Sequence, residues 1–187
     1  RLAHHPQFAQ LRNADGMTIS HLAITGGNQG IYADAASDTD GLTVRDSRIY
    51  GNLNHGIYLA TGNDAPTLTG NTLSSQYYAL ETWGTDATIS GNAVGQHTYR
   101  GIFVRGARSV VEGNEVAIIS VGNQGVGIDA SFTGAAGDRI LVQNNVVHDN
   151  NAVGLSVSGQ VLATGNDIYN QAASFGVGAS VSSSAEF

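Results

Sequence analysis

The chain has 187 residues, 41% of them hydrophobic and 12% charged, with a formal net charge of -7. That is enough apolar material for one continuous core, and the acidic balance excludes the basic face that nucleic acid requires. No apolar run approaches the roughly 18 residues of a membrane span, no export signal opens the chain, and the lack of cysteine removes disulfides and thiolate metal sites.

All eight positive residues are arginines. The 25 glycines and two prolines are spread without a linker-like cluster, so residues 1–187 read as a single domain. Neither end carries the polar cap that shields a terminal repeat, so the chain is expected to be a piece of a longer one.

In chain order, seven short segments share one pattern: aliphatic, two small or polar residues, Asn or a substitute, any residue, aliphatic. They cover residues 19–24, 44–49, 68–73, 89–94, 111–116, 142–147 and 163–168. The fourth column reads Leu22, Ser47, Asn71, Asn92, Asn114, Asn145, Asn166, a period close to 22 residues with one longer insertion before Asn145. Such a period signals stacked repeats. The apolar residues alternate with polar ones and are rich in Val, Ile and Thr, so the segments are strands.

A second strand opens with glycine or alanine in each repeat, at Gly30, Gly56, Ala79, Gly101, Gly125, Gly154 and Gly176. Two strands and a turn per repeat are expected to form a coil. The leucine-rich repeat also fits the Asn register, but twelve leucines over seven repeats are too few to pack its returning segment.

These features resemble the right-handed parallel β-helix repeat family, in the manner of pectate lyases and alginate C5-epimerases. The resemblance implies an all-β solenoid of about seven coils with very little helix, roughly 34 Å long at about 4.8 Å per coil. The Asn71, Asn92, Asn114, Asn145 and Asn166 column is expected to be an inward hydrogen-bonded ladder, continued weakly by Ser47 and broken at Leu22.

Strict alternation along the glycine-led strands predicts outward pairs: Tyr32 and Asp34, Tyr58 and Ala60, Glu81 and Trp83, Phe103 and Arg105, Gly127 and Asp129, Ser156 and Ser158, Gly178 and Ser180. Aromatics interleaved with charge suit a saccharide, whose ring stacks on aromatic faces while its hydroxyls need polar partners. Tyr32, Tyr58, Trp83, Phe103 and Arg100 are therefore candidate substrate-binding residues. The same rings stacking from coil to coil would merely strengthen the sheet.

Epimerases and related lyases of this kind carry Tyr-Gly-Phe-Asp-Pro-His on a glycine-led strand. Here Tyr78-Ala79-Leu80-Glu81-Thr82-Trp83 falls in that register, with Tyr78 retained, Glu81 for Asp and Trp83 for His. The resemblance implies proton abstraction from a sugar carbon, with Tyr78 or His55 as base or acid, Arg105 as carboxylate clamp beside Arg100 and Arg108, and Glu81 orienting. Alternatively, Glu81 and Asp129, roughly 10 Å apart, would serve as the carboxylate pair of an inverting hydrolase.

The six histidines lack zinc spacing, and the acidic turn Asp34, Asp38, Asp40 lacks a Ca²⁺ motif, so no metal or cofactor is expected. The reading that emerges is a secreted or cell-surface module that binds an acidic polysaccharide, with its processing by lyase, epimerase or hydrolase chemistry left open. Its rival is a non-catalytic stalk or adhesin segment.

Overall fold

The computed structural model describes residues 8–117, 125–171 and 176–187. Three parallel sheets run the length of the molecule, one strand per coil in each, so the coil has three strands where the sequence suggested two. The Asn-bearing segment is itself two strands, split at the column residue. Sheet A contains the glycine-led strands Gln29–Ala33, His55–Leu59, Tyr78–Thr82, Arg100–Val104, Val126–Phe132, Val153–Gly159 and Val177–Ser182, preceded by Ala9–Gln10. Sheet B starts at Thr18–Ser20 and sheet C at Ala23–Ile24, and each follows every later coil to Val161–Thr164 and Asp167–Tyr169. One 3₁₀ turn, Ala136–Asp138, is the helical element of the described residues.

A single residue in the left-handed region makes the corner between sheets B and C. It always immediately precedes the ladder position: His21, Asp46, Gly70, Gly91, Gly113, Asn144 and Gly165, with φ between 50° and 64°. This explains the repeated Gly-Asn dipeptide, because glycine carries no Cβ to clash there. The next residue then points inward. Each Asn Oδ1 accepts the backbone N–H of the ladder residue one coil earlier, as in Asn71 to Asn92 at 2.9 Å and Asn92 to Asn114 at 3.0 Å. The Nδ2 groups donate to the next Oδ1 and to a carbonyl of the preceding coil, as Asn92 does to Asn114 and Leu68. Ser47 joins by accepting from the Leu22 N–H at 3.2 Å, and Leu22 contributes only its backbone.

A second inward polar column, five residues further on, closes the corner between sheets C and A. Asn52, Gln76, His97, Asn150 and Gln171 each place a side-chain nitrogen on a carbonyl of the preceding coil. Its mixed residue types hid it, although the fixed offset from the first ladder was legible. Between the polar corners, stacked aliphatics fill the interior: Ile31, Ile57, Leu80, Ile102, Ile128 and Leu155 from sheet A face the sheet B and C columns. Each such side chain contributes about 1.5–3 kcal/mol by leaving water.

Two stability measurements follow. Asn114→Ala strands the Asn92 N–H and three acceptors of its own amide, so urea denaturation is expected to show a loss of about 3 kcal/mol or more; a loss below about 1 kcal/mol contradicts the ladder's role. Burial holds the His97 imidazole down at about 4 against an ordinary 6.5, outweighing the hydrogen bonds to the Leu73 and Gln76 backbone that raise it. The unfolded chain therefore takes up this proton first, and His97's contribution is complete above pH 6.5 and falls as pH drops to about 4, by roughly 3 kcal/mol. His97→Gln, which matches Gln76 in the column, is expected to remove that part of the acid dependence while keeping neutral-pH stability.

Candidate functional site

The outer face of sheet A is shaped by a kink at the glycine. Pairing runs Tyr78 with His55 and Leu80 with Ile57, and the residue between bends inward. A Cβ on Gly101 would sit 2.5 Å from the Gly127 carbonyl oxygen and 2.7 Å from Val116. That residue and the next both face the core, so strict alternation fails there. The residue before the glycine and the second after it emerge side by side on the outside. The sequence reading named His55, Tyr78 and Arg100 individually but missed that they form one outward column, Gln29, His55, Tyr78, Arg100, Val126.

The kink also corrects two rungs. Ile102 pairs with Ile128 and Leu155 with Ala179, so the structural glycines are Gly127 and Gly178, and neither faces outward. Asp129 accordingly stands beside Phe103, two positions after its glycine. The second outward column thus reads Tyr32, Tyr58, Glu81, Phe103, Asp129, Ser156 and Ser180. Beyond it runs a third, Asp34, Ala60, Trp83, Arg105.

The charges on this face are paired. His55 Nε2 donates to Glu81 Oε2 at 3.0 Å, and the Trp83 indole N–H donates to Glu81 Oε1 at 2.6 Å. Both partners of the His55–Glu81 hydrogen bond are buried, His55 at 7% and Glu81 at 8% exposure. Burial pushes the Glu81 carboxyl up, but the hydrogen bonds from His55 and Trp83, with the charges of His55 and Arg100, outweigh it and leave it below the ordinary carboxylate range. Asp129 sits between two guanidinium groups: Arg105 Nη1 donates to Oδ1 at 3.2 Å. Arg100 Nε lies 2.8 Å from Oδ2 as an ion pair, with its N–H off the hydrogen-bond line. Arg108 is engaged elsewhere, by Asp86 and Asp138.

The rings divide into covered and open ones. Phe103 is only 6% exposed, lying beneath Arg105 at 3.9 Å and Arg100 at 4.6 Å from its centroid. It is a cation–π support, and the expectation that it offers a free stacking face is corrected. Tyr78 stacks on His55 at 4.7 Å. Burial raises its phenol pKa, with Tyr99, Glu81 and Tyr77 adding to the rise and Arg100 opposing it. Tyr32 and Tyr58 stack at 5.5 Å, and burial, with Glu81, Tyr32 and Asp34, raises Tyr58 as well.

Trp83, 38% exposed, meets Phe103 edge to face at 5.8 Å. Tyr77 and Tyr99, stacked at 5.2 Å, extend the aromatic surface and were missed because they lie in the turn before the strand. The acidic turn serves the backbone: Asp34 Oδ1 accepts from Ala36 N and Ser37 Oγ, and Asp40 Oδ1 from Asp64 N.

A solenoid with this corner chemistry and coil register is a parallel β-helix. The model of the right handed beta helix region matches residues 29–187, and the chain belongs to that family. Among solved structures, the crystal structure of pectate lyase Pel9A is similar, with a TM-score of 0.61 at 16% identity, over 96% of this chain and 57% of that one. The chain thus spans little more than half the length of that protein, and at this identity the likeness concerns the fold. No curated protein sequence matches the chain.

Removing the Asp129 carboxylate leaves two partly buried guanidinium groups facing each other. Asp129→Ala is expected to lower stability by about 3 kcal/mol, read from a denaturant melt. A loss within about 0.5 kcal/mol would mean that water already compensates both arginines.

Proposed function

We propose that this β-helix binds a polysaccharide along the outer face of sheet A, and that its part of the molecule is a binding surface rather than a reaction centre. The observation that carries this reading is the division of labour on the face: exposed rings at Trp83 and Tyr77 and half-buried ones at Tyr99, Tyr58 and Tyr32, beside charged groups already paired with one another. Stacking on such rings with hydroxyls meeting polar neighbours is how saccharides are held. The surface would act outside the cell, where such polymers are found.

Catalysis is less well supported. Tyr78 with a raised phenol pKa suits an acid better than a base. Nδ1 of His55, the nitrogen left over after the Glu81 contact, is buried without a partner among the described residues. A hydrolase acid must have a raised carboxyl pKa, whereas that of Glu81 is lowered. One observation keeps an acidic polymer as a second reading: Arg100 and Arg105 each have five N–H donors, more than Asp129 can engage, and uronate carboxylates could share them.

The test is calorimetric titration of neutral glucan, mannan and galactan oligomers beside polygalacturonate and alginate oligomers, with ultraviolet detection of unsaturated products. Neutral binding that falls about tenfold or more in Trp83→Ala, without product formation, is expected. Binding confined to uronates and lost in Arg105→Ala would favour the second reading. Absorbance from an unsaturated product would restore the lyase. Binding by none of them would leave the stalk reading.

A further inference from the structure

The pairing of His55 with Glu81 is the more deeply buried of the two cross-coil charge pairs on this face. Both side chains are about nine-tenths out of water, and burying such a pair gives little or no net stability compared with apolar residues of the same size. The preceding coils close this face with uncharged groups, Tyr32 and Tyr58 in the Glu81 column and Gln29 in the His55 column, while on the far side Arg100 and Asp129 occupy the same two columns as a second charged pair. The pair therefore needs another reason, and its remaining hydrogen bond supplies one. Glu81 has two oxygens: His55 fixes one at 3.0 Å, and the other holds the indole N–H of Trp83 at 2.6 Å. His55 is in turn clamped between Tyr78, stacked at 4.7 Å, and Tyr58, edge-on at 5.0 Å. The chain of contacts begins in this buried cluster and ends on the single tryptophan of the sequence, whose other ring contact is the edge-to-face approach to Phe103.

We propose that His55 and Glu81 are positioning residues that lock Trp83 as a preformed stacking platform for one neutral pyranose ring. This rests on the polysaccharide-binding reading of the same face. An exposed tryptophan left to itself samples several rotamers, and a ligand must then freeze it at a cost in affinity. An indole tied at its nitrogen and braced by Phe103 has already lost that freedom. The ligand is neutral because the charged group in contact with the ring is the Glu81 carboxylate, whereas Arg105, on the next coil, lies over Phe103 and shares Asp129 with Arg100. A uronate stacked on Trp83 would bring its carboxylate beside that of Glu81, whereas one held by the spare donors of Arg100 and Arg105 would sit over the next coils, at Phe103 and Asp129.

Because Trp83 is the only tryptophan, its fluorescence reads the platform directly, with and without sugar. In the free protein, Glu81→Ala is expected to raise acrylamide quenching of Trp83 roughly twofold, as the released ring moves on the fast timescale of exposed side chains. It is also expected to weaken binding of a neutral hexasaccharide roughly fivefold by loss of pre-organisation, with the β-sheet circular dichroism unchanged. Glu81→Gln should restore both values. Its amide oxygen can still accept from the indole, and its NH₂ can donate to Nε2 of His55 once that ring carries its proton on Nδ1.

Unchanged quenching in Glu81→Ala overturns the positioning role, whatever binds. If Glu81→Ala does not fold, Trp83→Phe takes its place: it keeps a ring but cannot be tied, and neutral-sugar affinity equal to wild type overturns the proposal. If wild type binds no neutral hexasaccharide, the ligand assignment falls together with the reading it rests on. The quenching of the free protein then still decides the positioning role separately.

Discussion

Everything in this molecule depends on one repeated hydrogen-bond arrangement, the buried asparagine amide that ties each coil to the next at the corner of sheets B and C. A corner turned by one left-handed residue leaves backbone N–H and C=O groups facing the interior, where an unpaired group costs about 1–3 kcal/mol. Asparagine satisfies them because it carries a donor and an acceptor at the right reach. The Oδ1 serves the coil before, and Nδ2 serves both neighbours. The second column, with Gln76, His97 and Gln171 among its members, does the same at the next corner with longer side chains.

Once the corners are fixed, the rest of the interior has little choice. Stacked aliphatics from three sheets meet inside, and the kink at the glycine of each sheet A strand turns two successive residues inward. That kink shapes the outer face as much as the interior, because it pushes two outward columns together. His55, Tyr78 and Arg100 come to lie beside Tyr58, Glu81, Phe103 and Asp129 only because the backbone folds inward between them. The ion pairs of this face are products of the kink, and they convert a row of isolated charges into compensated pairs beneath exposed rings.

Much of the scaffold was legible in the sequence because it repeats. The Asn column, the aliphatic stripes and the glycine-led strands each recur at fixed spacing, and a seven-fold coincidence survives an irregular insertion. What did not repeat was harder to read. The division of the Asn-bearing segment into two strands depends on a single backbone angle at residues such as Gly91. The placement of Asp129 was shifted by two positions because Gly125 and Gly127 both fit the pattern and only the cross-strand pairing chooses between them. The burial of Phe103 and the engagement of Arg100 and Arg105 by Asp129 are contacts between coils, which no single-coil pattern contains. Tyr32, Tyr58, Trp83, Glu81 and the two arginines, which the fold brings onto one face, stand out in the sequence because they break the repeat.

The central claim is that this face presents a fixed indole held by buried ionic groups and open to a sugar ring. The most direct measurement is the nuclear magnetic resonance signal of the Trp83 indole N–H, the only one of its kind in the chain. The account predicts one sharp resonance in the free protein, slow to exchange with solvent, that shifts and stays protected as a neutral oligosaccharide is added. An indole proton that exchanges as fast as free tryptophan and ignores every glycan would contradict it.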